Sequence, residues 1–106
     1  MVKHGTNKTE QALIRQIGGR PHKNSGRGLN KADGQWGNFI VDVKETGKSF
    51  TLSEDVWSKV CTDAARVDFR KDPALIVWFY EHDVKLAVVP LDVLEDLVAR
   101  ANQQPL

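Results

Sequence analysis

NFIVDVKE, residues 38–45, alternates its side chains between an apolar face and a mixed one. Phe39, Val41 and Val43 face one way and Ile40, Asp42 and Lys44 the other, which is the period of a β-strand. Asp42 and Lys44 therefore share a face, roughly 7 Å apart at the base. The preceding DGQWGN, residues 33–38, supplies glycines for a hairpin or bulged turn. A turn between residues 34 and 37 lets a short strand ending near Asp33 pair with 38–45 and brings Asp33 beside Asp42.

Outward from this hairpin the chain alternates helices and strands. Upstream, TNKTEQALIRQIGG predicts a first helix, with Asn7 as cap, Leu13, Ile14 and Ile17 as the apolar stripe, and Gly18 and Gly19 as the stop. GGRPHKNSGRGLNKADG is rich in Gly, Pro, Asn and Ser and reads as a mobile loop until pairing begins near Leu29. Downstream, SFTL reads as a brief strand. A helix is then expected from about Glu54, capped by Ser53 and buried along Val56, Val60, Ala64 and Val67. The apolar run PALIVWFY is expected as a central strand, with HDVKLAVVP as its hairpin partner through a His82–Asp83 turn. Leu91, Leu94, Leu97 and Val98 then predict a last packed helix. The expected fold is α/β of the α+β kind: a mixed central sheet flanked by helices, in the order α-β-β-α-β-β-α, forming one domain over residues 1–106.

Composition narrows the function classes. No apolar run approaches a membrane-spanning length, and the 106 residues suffice for a single core. MVKHGTNKTEQ has no apolar segment of the secretory kind, and the lone Cys61 has no partner for an internal disulfide, so a reducing, intracellular setting is expected. Cys61 also lacks a second cysteine or a nearby histidine, which leaves a zinc site or a catalytic thiol unsupported. His4, His22 and His82 lack ligand-like spacing. His4 and His22 read as loop residues near phosphate, and His82 as a turn residue.

The net charge of +1 averages two unlike halves: nine Lys and Arg against four Asp and Glu in residues 1–50, six against ten in residues 51–106. No acid lies between Glu10 and Asp33, where Arg15, Arg20, Lys23, Arg27 and Lys31 accumulate. Such a stretch suits contact with nucleic-acid phosphates, and it equally suits a solvated loop.

Two converging aspartates repel each other, and a divalent cation removes the conflict. Mg²⁺ fits hard oxygen ligands of this kind, binding through one or two carboxylates plus water and a substrate phosphate. Lys44 is placed to orient an attacking water or to offset charge in the transition state. Glu10 precedes Leu13, Ile14 and Ile17 by three, four and seven positions, so it lies on the stripe that faces the sheet. It either closes a capping box with Asn7 or joins the acids, and the two roles are compatible.

Helical Glu10, then Asp33, then Asp42-Val43-Lys44 resemble the PD-(D/E)XK nuclease superfamily. The segment Asn24-Ser25-Gly26-Arg27-Gly28 resembles the corresponding loop of archaeal-type Holliday junction resolvases and their phage-encoded relatives. The resemblance spans about residues 7–90. It implies a restriction-endonuclease-like core and a metal-dependent endonuclease. In it, Asp33, Asp42 and the Val43 carbonyl hold Mg²⁺ or Mn²⁺, Glu10 completes the site, and Lys44 assists the nucleophile. It further implies a contact of Ser25 with the scissile region and a homodimer that cuts two strands of a four-way junction; on charge, Arg20, Lys23, Arg27 and Lys31 are expected to bind the DNA backbone. Ala32 stands where the family pattern has proline, and Ser25 lies farther upstream of Asp33 than in the archaeal enzymes. The residues also admit another nuclease of the superfamily, a non-catalytic nucleic-acid-binding module of the same fold, or a protein-interaction domain.

Overall fold

The computed structural model describes residues 7–22 and 32–103. Their order is α1 (Asn7–Gln16), β1 (Arg20–Pro21), β2 (Gly34–Trp36), β3 (Phe39–Thr46), α2 (Glu54–Asp68), β4 (Asp72–Phe79), β5 (Val84–Val88) and α3 (Leu91–Gln103). The strands form one mixed sheet in the order β1-β2-β3-β4-β5, in which only β3 and β4 run parallel. That pair requires a crossover, and α2 supplies it.

The alternation of β3 puts its two faces into different cores. Val41 and Val43 pack with Leu13 and Ile14 of α1 and with Ala74 and Ile76 of β4. Ile40 packs on the opposite side with Ala64 of α2, and Leu75 and Val77 join Val60 there. The sheet thus carries one helix on each face, and β3 lies at its centre.

Asn7 lies within α1 and not outside it as a cap. Gly18 and Gly19 close it as expected, donating their N–H groups to the carbonyls of Arg15 (3.0 Å) and Ile14 (2.8 Å). Ser53 caps α2: its hydroxyl accepts from the Val56 N–H at 3.1 Å. Ser53→Ala is expected to lower the unfolding free energy by about 1 kcal/mol, read from urea melts, with Ser53→Asp close to the parent.

Four expectations need correction. The two-residue strand β1 was not anticipated: Arg20 and Pro21 pair with Gln35 and Gly34, so the order is α-β-β-β-α-β-β-α. The hairpin turn lies at Gly37–Asn38 instead of 34–37, with Trp36 opposite Phe39 and Gly37 at φ +57. Gly34 is needed inside β2 because a Cβ there would lie 2.6 Å from the Arg20 carbonyl oxygen. SFTL forms no strand: the Thr46 hydroxyl donates to the Ser49 carbonyl at 2.5 Å, and the chain turns off the sheet to place Phe50 against the α2-side core. Finally, α3 forms where expected, but none of its residues is fully buried: Val93 is half-buried, and the stripe of Leu91, Leu94, Leu97 and Val98 stays exposed.

Candidate acidic site

Three elements deliver the acids. Glu10 comes from the first turn of α1, Asp33 from the residue before β2, and Asp42 from the middle of β3. The antiparallel β2–β3 pairing continues through Asp33, whose N–H donates to the Val41 carbonyl at 3.0 Å. Its Oδ2 accepts from the Val43 N–H at 2.7 Å, which fixes the carboxylate against β3. On the other side the Asp33 carbonyl accepts from the His22 N–H at 2.8 Å, and His22 Nδ1 lies 3.1 Å from the Ala32 carbonyl oxygen. Asp33 is 7% exposed, so this clamp holds a buried carboxyl.

Asp33 shares one hydrogen bond with Asp42 and another with Glu10. Bonds between carboxyls require a proton. Burial, and then the Asp33 carboxylate beside it, push Asp42 up to about 7, against the pull of the Lys44 ammonium 3.6 Å away. Burial also raises Asp33, opposed by its bonds with Asp42 and with the Val43 N–H. Glu10 is raised mainly by burial and further by the charges of Asp42 and Glu45, while its bond with Asp33 and the Lys44 charge lower it.

Glu10, Asp33, Asp42 and Lys44 thus meet in one place. Val43 lies between Asp42 and Lys44 with its side chain in the α1-side core. Arg20 is exposed at the start of β1, opposite Gln35. Lys23, Ser25, Arg27 and Lys31 lie outside the described residues, as does His4.

Two residues of the site were not picked out from the sequence. The Thr9 hydroxyl donates to Glu45 Oε1 at 2.5 Å, and Thr9 is only 5% exposed. The bond ties α1 to β3 one residue from Glu10 and one from Lys44. The signal was present: Thr9 precedes Leu13 by one helical turn, and Glu45 continues the Val41–Val43 face by the strand period. His22 braces the Ala32–Asp33 backbone.

Among the described residues, no group of three or more Asp, Glu, His or Cys side chains is arranged to hold a metal ion. A Mg²⁺ ion needs fewer protein ligands than that, since one or two carboxylates complete its shell with water and phosphate. Asp33 and Asp42 are a donor pair of that kind, two hard-oxygen side chains brought side by side. No helix among the described residues is long and apolar enough to cross a membrane. Compared with known proteins, the chain matches no family model, no curated protein and no solved structure.

Proposed function

We propose that this chain is a Mg²⁺- or Mn²⁺-dependent DNA endonuclease with a restriction-endonuclease-like core, acting as a homodimer on four-way junctions. The observation that carries the proposal is the meeting of Glu10, Asp33 and Asp42 from three separate elements, with the Lys44 ammonium 3.6 Å from Asp42. Such a cluster opposes folding through charge repulsion and desolvation unless it serves a ligand. The parallel β3–β4 pair joined through α2 supports the same core, because it sets Asp42 on the central strand of a sheet covered on both faces.

In this reading Asp33 and Asp42 would hold the ion together with the Val43 carbonyl, and Glu10, beside Asp33, would position that carboxylate rather than ligate. When bound, such an ion would supply Lewis-acid stabilisation and an acidified water. Lys44, 3.6 Å from Asp42, would orient the attacking water and offset negative charge as it develops. The water oxygen bonds to phosphorus, one ester P–O bond breaks, and the departing oxygen takes a proton. Arg20 would contact phosphate, on charge Lys23, Arg27 and Lys31 would do the same, and by the resemblance Ser25 would act at the scissile region. With phosphate contacts dominating, the junction is recognised by shape rather than by base sequence.

The test is incubation of the chain with a mobile four-way junction in Mg²⁺ and in chelator, with flap, mismatched and linear duplexes at matched salt. Paired nicks on the junction in Mg²⁺ alone are expected. Cleavage indifferent to branching would move the assignment to another nuclease of this fold. If all four cations engage phosphate, junction affinity is expected to fall with salt at a log–log slope of about −3.6 per protomer.

A second proposal is favoured by the lack, among the described residues, of a three-ligand group: a nucleic-acid-binding module that keeps this fold without catalysis. It predicts salt-sensitive junction binding and no metal-dependent scission.

A further inference from the structure

Helix α3 has the residue pattern of a packed helix and the exposure of an unpacked one. Leu91, Leu94, Val98 and Ala101 recur at steps of three and four, so they line one stripe, with Leu97 beside it. None of the helix's residues is buried, and Leu91 is 71% exposed. A helix of this length is marginal in water on its own, and a continuous apolar stripe marks a surface that something covers.

We infer that this stripe is the seam of a two-fold dimer, in which α3 lies antiparallel against α3 of a second copy of this chain. Spacing is the first argument for that occupant. Leu91, Leu94, Val98 and Ala101 hold the a and d positions of a heptad, a seam that complements itself, and two-fold symmetry presents the same patch from both sides. Charge is the second. Asp92, Glu95 and Asp96 occupy the first half of α3 and Arg100 the second. A parallel pair would stack the acids on one another. The antiparallel pair sets Arg100 of each copy beside the acidic half of the other and opposes the two helix dipoles.

The third argument is continuity with the body of the protein. A depression of about 380 Å³, lined by Leu52, Trp57, Val88, Val89 and Leu91 among others, opens beside the first turn of α3, and Leu52 is itself exposed. This enlarges the contact beyond the helix, toward the roughly 800 Å² per partner that stable interfaces bury. With the two-fold axis near Asp96, Leu91 stands opposite Ala101 of the second copy and Leu94 opposite its Val98.

The surface gives the homodimer of the nuclease proposal its interface, but it rests on α3 and not on the carboxylates. Sedimentation equilibrium from roughly 1 to 100 µM is expected to show a dimer for the parent and a monomer for Leu94→Glu. The far-UV spectrum and melting temperature of that variant should match the parent monomer, since Leu94 lies on the exposed side of α3, 47% exposed. In a Cys61→Ser background, Leu91→Cys combined with Ala101→Cys should oxidise to a covalent dimer. Leu91→Cys alone should not, because the two 91 positions lie about 15 Å apart along antiparallel helices. A parent monomeric at the top concentration, a dimer that survives Leu94→Glu, or cross-linking through Leu91→Cys alone overturns the inference. Junction cleavage is a separate readout: a dimer that does not cut retains this interface and removes the nuclease, and a monomer that cuts does the reverse.

Discussion

An Asp42→Asn variant is expected to lose at least about 100-fold in metal-dependent junction cleavage while binding the junction, in chelator, as tightly as the parent or more tightly. The two directions share one cause. The amide keeps the shape of the side chain and its place on β3, but it is a poorer ligand for a hard cation than a carboxylate. It also removes a charge that repels phosphate when no ion is present. A module that only binds DNA would show no scission before or after the change, and a variant that cuts like the parent would remove Asp42 from the site. Gel shifts in EDTA and strand-mapped cleavage in Mg²⁺ give both readouts on one preparation.

Stability is expected to fall as pH rises from about 4 to 7, by on the order of 2 to 4 kcal/mol. Asp42 drives this effect, because burial and the Asp33 carboxylate push it up to about 7 in the folded chain, whereas an unfolded aspartate titrates near 3.9. Between those values the folded state binds more protons than the unfolded state, so raising the pH favours unfolding. Below the lower value both states are protonated, and the stabilisation is fully present. Glu10 and Asp33 are raised as well and act in the same direction. Asp68 and Asp83, lowered chiefly by side-chain hydrogen bonds with Arg70 and Lys85 respectively, act oppositely, but both sit at the surface where solvent screens them. Urea melts at pH 5 and pH 8 read the difference. Asp42→Asn should flatten it and be the more stable protein at pH 8, and Mg²⁺ at pH 8 should raise the melting temperature of the parent. A parent more stable at pH 8 than at pH 5 without metal would contradict the buried carboxyl pair.

Local patterning made much of this structure legible. Period-two alternation in residues 39–45 assigned β3 and both of its faces, and Ser53 followed by Glu54 and Asp55 marked the start of α2. The same rules placed Glu10, Asp42 and Lys44 on the elements that carry them. They missed what depends on distant partners. Arg20 and Pro21 become a strand only because Gln35 and Gly34 pair with them, and the Asp33–Gly34 dipeptide, a common turn signal, lies in the sheet approach because Arg20 crowds Gly34. The α3 stripe says that its residues seek cover but not whether that cover lies within the same chain.

The Val43 N–H, held 2.7 Å from an Asp33 oxygen, makes this backbone group a resident spectroscopic probe of the acidic cluster. Its proton resonance should sit downfield and exchange slowly while that oxygen is free to accept. Titration with Mg²⁺ or with acid changes the electron density on the same atom, so the occupancy of the site can be followed from one amide peak, with no nucleic acid and no turnover.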